Sequence, residues 1–309
     1  MVRRPGHGAF GSPSELISAL SGLNRPARPA GTVHLMIQLD RHDATRLNRA
    51  RGIVRDLGSV LIAYSGGVDS TLLLKLALDE LGDRAVGILA SSPAYPESEQ
   101  QEARVLASSL GARLVEVSTD EVELDAYARN NPDRCFHCKE ELFDKLEPVQ
   151  RELGLQHLAY GATADDEGDH RPGHGSAVRR GVRFPLLEAG MGKPEIRAAA
   201  RELGLPNWNK PSFACLSSRI PHGTQVTVEA LHQIEAAEAA VKALGFSQVR
   251  VRHHGDVARI EVDGEEIARL IAERDRVVAA VRQAGYKFVS ADLEGYTTGS
   301  LNRTWQPSR

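Results

Sequence analysis

Two groups of residues in this 309-residue sequence have types and spacings suited to chemistry. The first is the run SGGVDS at residues 65–70. Gly66 and Gly67 permit positive φ and a close approach of a ligand to the backbone. The amide groups of such a turn, and of a helix that starts there, converge on one spot backed by the helix dipole. The hydroxyls of Ser65, Ser70 and Thr71 add donors. This cradle suits the pyrophosphate part of a nucleotide. The carboxylate of Asp69 cannot itself welcome a phosphate, which leaves it Mg2+ binding or helix capping. The plainer alternative is a glycine turn capped by Asp or Ser, and the strand before and helix after the run argue against it. The Gly-Lys-Ser/Thr ending of a Walker loop is missing, which disfavours simple γ-phosphate hydrolysis.

The second group is the three cysteines. Cys135 and Cys138 are spaced i, i+3 in NPDRCFHCKEELF and share one face of a helix. Cys215 stands in a long loop, PSFACLSSRIPHGT. Inert buried thiols are the ordinary reading for one cysteine, and three beside a nucleotide loop make coincidence less attractive. Three uses stay open: a structural Zn2+ completed by His137 or His222, a redox pair of Cys135 and Cys138, or an iron–sulfur cluster on three thiolates. Such a cluster leaves one iron open, and an open iron can carry an extra sulfide. Sulfide is a strong nucleophile whose natural electrophile is an acyl adenylate.

Smaller signals surround these two. GATADDEGD (161–169) follows a strand, where ligands collect in open α/β sheets. Its Asp165, Asp166 and Asp169 suit Mg2+ or substrate, or form a solvated acidic loop. Arg250 and Arg252 are i, i+2 on an expected strand and so share a face. They suit carboxylate or phosphate, or a solvated strand face. Arg219 lies four residues after Cys215. His253 and His254 read as surface residues, Trp208 as packing, and Glu261 as either a metal ligand between subunits or a salt-bridge partner.

Behind these residues the pattern is regular. Helices are expected over 41–58, 70–82, 98–111, 131–154 and 193–204, and strands over 59–64, 85–92, 113–119, 157–163 and 183–190. The βαβα alternation predicts a parallel sheet flanked by helices. Residues 205–224 read as a long loop. Helices over 228–245 and 265–285, with strands over 248–255, 258–264 and 287–293, predict a smaller α+β unit. The expected division is a tail at 1–35, a nucleotide domain at 36–210 and a C-terminal domain at 211–309. The tail is rich in Gly, Pro, Ser and Arg, reads as disordered and lacks the apolar core of a secretory signal.

Composition bounds the partners. Hydrophobic residues are 41% and charged residues 26%, the balance of a globular protein. No run of about 18 apolar residues predicts a membrane span. A net charge of −3 argues against a protein that coats nucleic-acid backbones. Three cysteines without a signal favour a reducing cytoplasm over a secreted disulfide scaffold.

SGGVDS resembles the PP-loop of ATP pyrophosphatases, which release pyrophosphate and transfer AMP to an oxygen. More broadly, residues of about 40–303 resemble the LarE family, ATP-dependent sulfur transferases that make the nickel-pincer cofactor of lactate racemase. The carriers are SGGVDS, GATADDEGDHRPG, the Cys215 loop, VRVRHHGDVARIEV (249–262) and GYTTGSLN (295–302). The resemblance implies a PP-loop domain of the adenine nucleotide alpha hydrolase type, a C-terminal α+β domain and a homo-oligomer, hexameric in the family. It implies ATP and Mg2+ at Ser65, Gly66, Gly67, Asp69, Ser70 and Thr71, and pyridinium-3,5-biscarboxylic acid mononucleotide as the substrate. Each carboxylate is adenylylated, and sulfur then displaces AMP. Substrate contacts are implied for Ser218, Arg219, Arg250 and Arg252, and a catalytic part for Asp69, Lys139 and Cys215.

The family divides by sulfur source. One branch sacrifices the sulfur of the cysteine matching Cys215. The other carries CxxC as well, like this sequence, and implies a 4Fe–4S cluster on Cys135, Cys138 and Cys215, reloaded by a sulfide donor; Asp166, in the acidic loop, is the expected metal ligand beside the nucleotide. Cys135 stands where the sacrificial branch has Trp, and Thr297 where that branch has Arg. The competing enzyme reading is a PP-loop, iron–sulfur tRNA thiolation enzyme, which calls for a basic RNA-binding surface. A nucleotide-sensing or metal-storage module would bind ATP without releasing pyrophosphate.

Overall fold

The computed structural model describes residues 41–166 and 172–297. The expected tail, Asp169 and the end of the GYTTGSLN segment lie outside the described residues, and Asp166 is described by its backbone alone. The described residues belong to one compact unit. No helix among them is long and apolar enough to cross a membrane.

The first half alternates helix and strand: α1 (Arg41–Asp56), β1 (Val60–Tyr64), α2 (Val68–Leu81), β2 (Ala85–Ser91), α3 (Glu97–Ser109) and β3 (Arg113–Ser118). A short α4 (Asp125–Ala128) leads into the long α5 (Arg134–Glu152), then β4 (His157–Tyr160), α6 (Pro172–Arg179), α7 (Pro185–Glu188) and α8 (Lys193–Glu202). The four strands are parallel in the order β3-β2-β1-β4, so β1 is central, with Val60 level with Ala85 on one side and His157 on the other. Its side chains alternate between two cores, as the two-residue strand period requires. Val60, Ile62 and Tyr64 pack with Leu47, Val54, Leu72 and Ile196 from α1, α2 and α8. Leu61 packs on the other face with Phe143 and Leu146 of α5. Covering both faces is what a parallel sheet needs.

The expected fifth strand at 183–190 is corrected. Arg183 makes a single parallel bridge to Ala159, and the chain then turns into α7. Pro185 has no N–H to give a ladder and suits the first helical turn. The Glu188 carboxylate accepts the Phe184 N–H at 2.9 Å and secures that turn.

The second half is smaller. It contains α9 (Val228–Ala243), β5 (Val249–His254), β6 (Val257–Val262), α10 (Ile267–Ala272), α11 (Arg274–Gln283) and β7 (Phe288–Ala291). β5 and β6 are antiparallel and β7 joins β6 in parallel. Val249, Val251, Ile260 and Val262 meet Ala237 and Val241 of α9 in a separate core. The single helix expected over 265–285 is two, divided at Glu273, whose carboxylate takes hydrogen bonds from Arg269 and Arg276 on either side.

Candidate functional site

The phosphate-type loop leaves the central strand at its C-terminal end and opens α2. Gly66 has φ +71°, and a Cβ there would fall 2.7 Å from the Cβ of Ala103. Only glycine meets both demands without strain. The Ser70 hydroxyl accepts the Ser65 N–H at 3.2 Å and donates to the Gly67 carbonyl at 3.1 Å, which folds the loop back on itself. Gly67, the cap of α2, gives no side-chain hydrogen bond to the first turn. The helix start is therefore left for an external acceptor. Gly161, just past β4, lies so close that a Cβ would sit 2.9 Å from the backbone of Asp69 and Ser70.

Two residues outside the motif complete this corner. Asn207 reaches from the long loop and donates to the Gly66 carbonyl and the Thr71 hydroxyl, both at 3.0 Å, while its own Oδ1 is buried without a hydrogen-bond partner. Lys193, first residue of α8, pairs its ammonium with Asp69 Oδ2. Its backbone N–H donates to Asp165 at 2.6 Å. Asp69 Oδ1 is buried and has no hydrogen-bond partner. Asp69 thus faces a cation instead of capping its helix. Neither Lys193 nor Asn207 stands out in the sequence, because each is an ordinary polar residue distant along the chain from the loop it touches.

The cysteine segments are brought together by long-range hydrogen bonds. Asn130 sits at φ +56° just before α5, and its amide donates to the carbonyls of Pro221 (2.8 Å) and Thr224 (3.0 Å). Arg134 donates to the Ser217 carbonyl at 2.9 Å, and the Tyr127 and Ser217 hydroxyls meet at 2.6 Å. The Leu216 N–H binds the Ala94 carbonyl at 2.8 Å. As a result Cys138, on the first turns of α5, and Cys215 pack on the same apolar cluster, built from Ala94, Val122, Tyr127, Leu216 and Ile220. Cys135, one turn before Cys138, is exposed. All three are free thiols. Among the described residues no three His, Cys, Asp or Glu side chains are grouped to hold a metal ion. His137 contacts Asp133 at 3.3 Å and His222 contacts the Asn130 carbonyl at 3.4 Å.

Burial pushes the Cys138 thiol up to about 12, against the pull of the Lys139 ammonium. That ammonium lies 5.1 Å from the centre of the Tyr160 ring, at the end of β4. The Tyr95 hydroxyl is 4.0 Å from Cys138 Sγ. Beside them Glu121 is 1% exposed. It accepts the Ser92 hydroxyl at 2.6 Å, has its other oxygen buried without a partner, and is raised above the usual carboxylate range by burial. Tyr95 and Glu121 carried no signal in the sequence.

The arginines divide into two kinds. Arg219 is fully buried and its Nε and Nη2 meet both oxygens of Glu238. The same guanidinium donates to the carbonyls of Ala214 and Cys215 and to the Ser218 hydroxyl. It holds the Cys215 turn from within. Arg252 pairs with buried Glu261 at 2.5 Å and donates to the Ser218 carbonyl at 3.1 Å. Glu261 also pairs with Arg259, so in this chain it is a salt-bridge partner. Arg250 and Arg252 share a face of β5 as expected, but that face is turned inward: they are 6% and 5% exposed. Arg250 donates to the Val249 carbonyl and stacks 5.3 Å from the Tyr296 ring, with no acidic ion-pair partner among the described residues. Burial and the neighbouring Arg219 pull its guanidinium below the usual value. His253 is hydrogen-bonded to the Tyr286 hydroxyl at 3.0 Å. Trp208 packs against the first core, under the Arg201 guanidinium.

No family model matches the chain. It is 41% identical over 261 residues to an uncharacterised protein of Synechocystis sp., an alignment covering 84% of this chain and 97% of that protein. It is 37% identical over 262 residues to the pyridinium-3,5-bisthiocarboxylic acid mononucleotide synthase of Lactiplantibacillus plantarum, covering 84% of this chain and 95% of the synthase. A tRNA-specific 2-thiouridylase of Caulobacter vibrioides is 26% identical over 278 residues, covering 73% of this chain and 71% of the thiouridylase.

Proposed function

The chain belongs to the LarE family, and on that premise we propose that it is an ATP-dependent sulfurtransferase that converts pyridinium-3,5-biscarboxylic acid mononucleotide to its bisthiocarboxylic acid. A substrate carboxylate oxygen attacks the α-phosphorus of ATP. The bond to the β-phosphate oxygen breaks and pyrophosphate leaves with the electron pair, giving an acyl adenylate. A sulfur nucleophile then attacks the carbonyl carbon, the bond to AMP breaks, and a thiocarboxylate remains. The second carboxylate repeats the sequence.

The loop of Ser65, Gly66, Gly67, Ser70 and Thr71 would hold the phosphates through the amides that open α2, the hydroxyls beside them and the α2 dipole. The orphaned oxygen of Asp69 fits a Mg2+ ion. Bound there, the ion would offset the charge of the leaving pyrophosphate. Arg250, buried with no acidic ion-pair partner among the described residues, suits a substrate carboxylate or phosphate. Arg219 and Ser218 would act by shaping the Cys215 turn, and Arg252 by bracing it from β5. Lys139 supplies a cation beside Cys138.

The observation that carries the reading is the shared cluster under Cys138 and Cys215, which brings two thiols from distant segments to one place. Cys135 lies one turn away on the same helix. Thiolates are the donors that a 4Fe–4S group takes, and Cys138 and Cys215 on one apolar cluster, with Cys135 a turn before Cys138, offer that donor type. Cys135, Cys138 and Cys215 would hold it, and when bound it supplies the sulfide that is transferred. Mass spectrometry after anaerobic incubation with ATP, sulfide and the pyridinium dicarboxylate tests the reading. Repeated turnover with all three cysteines intact is expected, together with about four irons per chain. A single turnover that leaves Cys215 without its sulfur would replace the cluster by sacrifice. No thiocarboxylate under either condition would remove the function.

A further inference from the structure

Asp69 lies in the first turn of the helix whose amides face the phosphate position proposed above, and its charge opposes a triphosphate there. A cation must stand between the two. The chain has one of its own at hand: the Lys193 ammonium pairs with Asp69 Oδ2, while Asp69 Oδ1 is buried and unpartnered. The backbone that delivers Lys193 is held firmly. Its N–H donates to Asp165 at 2.6 Å, and the Gly192 N–H donates to Glu195 at 3.0 Å. A Cβ at Gly192 would come within 3.1 Å of the Asp165 carboxylate and 3.0 Å of that of Glu195. The side chain, in contrast, is 35% exposed and free to swing on a four-carbon stem. A partly exposed ion pair of this kind is weak enough to be exchanged.

We propose that Lys193 is a phosphate-binding residue held in reserve by Asp69. In the empty site its ammonium takes the cation position at the carboxylate. When a divalent cation arrives with a nucleoside triphosphate, Asp69 passes to the metal and the ammonium passes to the β- and γ-phosphate oxygens, the pair that later leaves as pyrophosphate. The inference rests on the ATP reading and deepens it. It assigns to one lysine two partners in turn, and it explains why a carboxylate can sit in a phosphate loop without repelling its ligand. It also makes the empty protein a poor binder of free divalent cations, because the ammonium competes for the same oxygen.

Two titrations test this on the full chain. In the first, Mn2+ is added to nucleotide-free protein and followed by electron paramagnetic resonance. Lys193→Met is expected to bind Mn2+ about tenfold more tightly than the unaltered chain, by removal of the competing charge. Adding Asp69→Asn to it abolishes the gain. In the second, calorimetry with Mg·ATP and with AMP is expected to show about tenfold weaker ATP binding in Lys193→Met, unchanged AMP binding, and partial recovery in Lys193→Arg. Unchanged Mn2+ affinity in Lys193→Met, or equal loss of ATP and AMP, would overturn the proposal. A chain that binds no Mg·ATP at all would instead sink the ATP reading, and the Mn2+ titration separates the two because it uses no nucleotide.

Discussion

Arg219 and Glu238 form a two-bonded ion pair, at 2.8 and 3.1 Å, in a place that solvent does not reach. Oε1 of that carboxylate also accepts the Val251 N–H at 3.0 Å. The pair therefore ties α9, β5 and the Cys215 turn together. Removing one partner leaves the other charge buried and alone, which costs about 3–5 kcal/mol. Glu238→Ala is expected to lose stability on that scale in urea unfolding, and Arg219→Met to lose a similar amount. The double variant Arg219→Met, Glu238→Leu should recover part of the loss, since neither member of the pair is left alone, while the Val251 N–H still loses its acceptor. A double variant as unstable as the sum of the singles would mean that the contacts to Ala214 and Cys215 matter more than the ion pair.

Arg250 should behave in the opposite way. Its guanidinium is buried with no acidic ion-pair partner among the described residues, Glu238 acting on it only at longer range, and burial already disfavours its charge. Arg250→Met is therefore expected to leave stability within about 1 kcal/mol of the unaltered chain, while weakening the pyridinium dicarboxylate nucleotide by about tenfold or more and sparing ATP. Calorimetry with the two ligands, beside urea unfolding, separates these effects. A large loss of stability with both ligands weakened equally would assign Arg250 to the framework.

Gly66→Ala tests the loop. The left-handed backbone at φ +71° costs a residue with a Cβ roughly 1–2 kcal/mol. The 2.7 Å approach to Ala103 adds overpacking of roughly 1–3 kcal/mol. Ala103→Gly should return some of the second part and leave the first, since the Ala103 Cα would still lie 3.0 Å from the new Cβ. Unfolding measurements on the single and paired variants read both parts. No recovery in the pair would locate the whole cost in the backbone.

Asn207 links the segment that leads to Cys215 with the nucleotide loop through Gly66 and Thr71. Asn207→Ala removes two hydrogen bonds, at about 1 kcal/mol each net. The expected result is a KM for ATP raised by roughly 5–30 fold in pyrophosphate release, on the same scale. Unchanged KM with lowered stability would make Asn207 a structural tie only.

His253 sets a pH dependence. Burial first, and then the neighbouring His254, hold its imidazole below the ordinary 6.5, and it bonds the Tyr286 hydroxyl. The folded chain thus binds this proton less readily than the unfolded one. The stabilising contribution is complete above 6.5 and is lost as pH falls through the folded value. Urea unfolding between about pH 5 and 8 should show stability rising with pH, with a smaller rise in His253→Gln. The same slope in both would assign the dependence to other groups.

Much of the architecture could be read from local pattern. The apolar run at 59–64, the glycines at 66 and 67 and the apolar helix after them specify a strand, a turn and a helix, because each depends on neighbouring residues alone. The alternation of β5 and β6 was legible for the same reason. The apolar run at 184–187 misled, because its period suits a buried strand or a buried helical turn equally well. Pro185 and the Glu188 side chain decided for the helix.

The sequence by itself determined most of the elements, the loop that opens α2 and the identity of three thiols. Tertiary structure decided what the charges do: Arg219 and Arg252 are spent on buried carboxylates, Arg250 is not, and Asp69 finds its cation in Lys193. It also decided that Cys138 and Cys215 share one cluster. Helices, strands and turns follow from contacts a few residues apart. The partner of a charge or a thiol is chosen by whichever distant segment the fold brings within a few ångströms, and spacing along the chain holds no record of that choice.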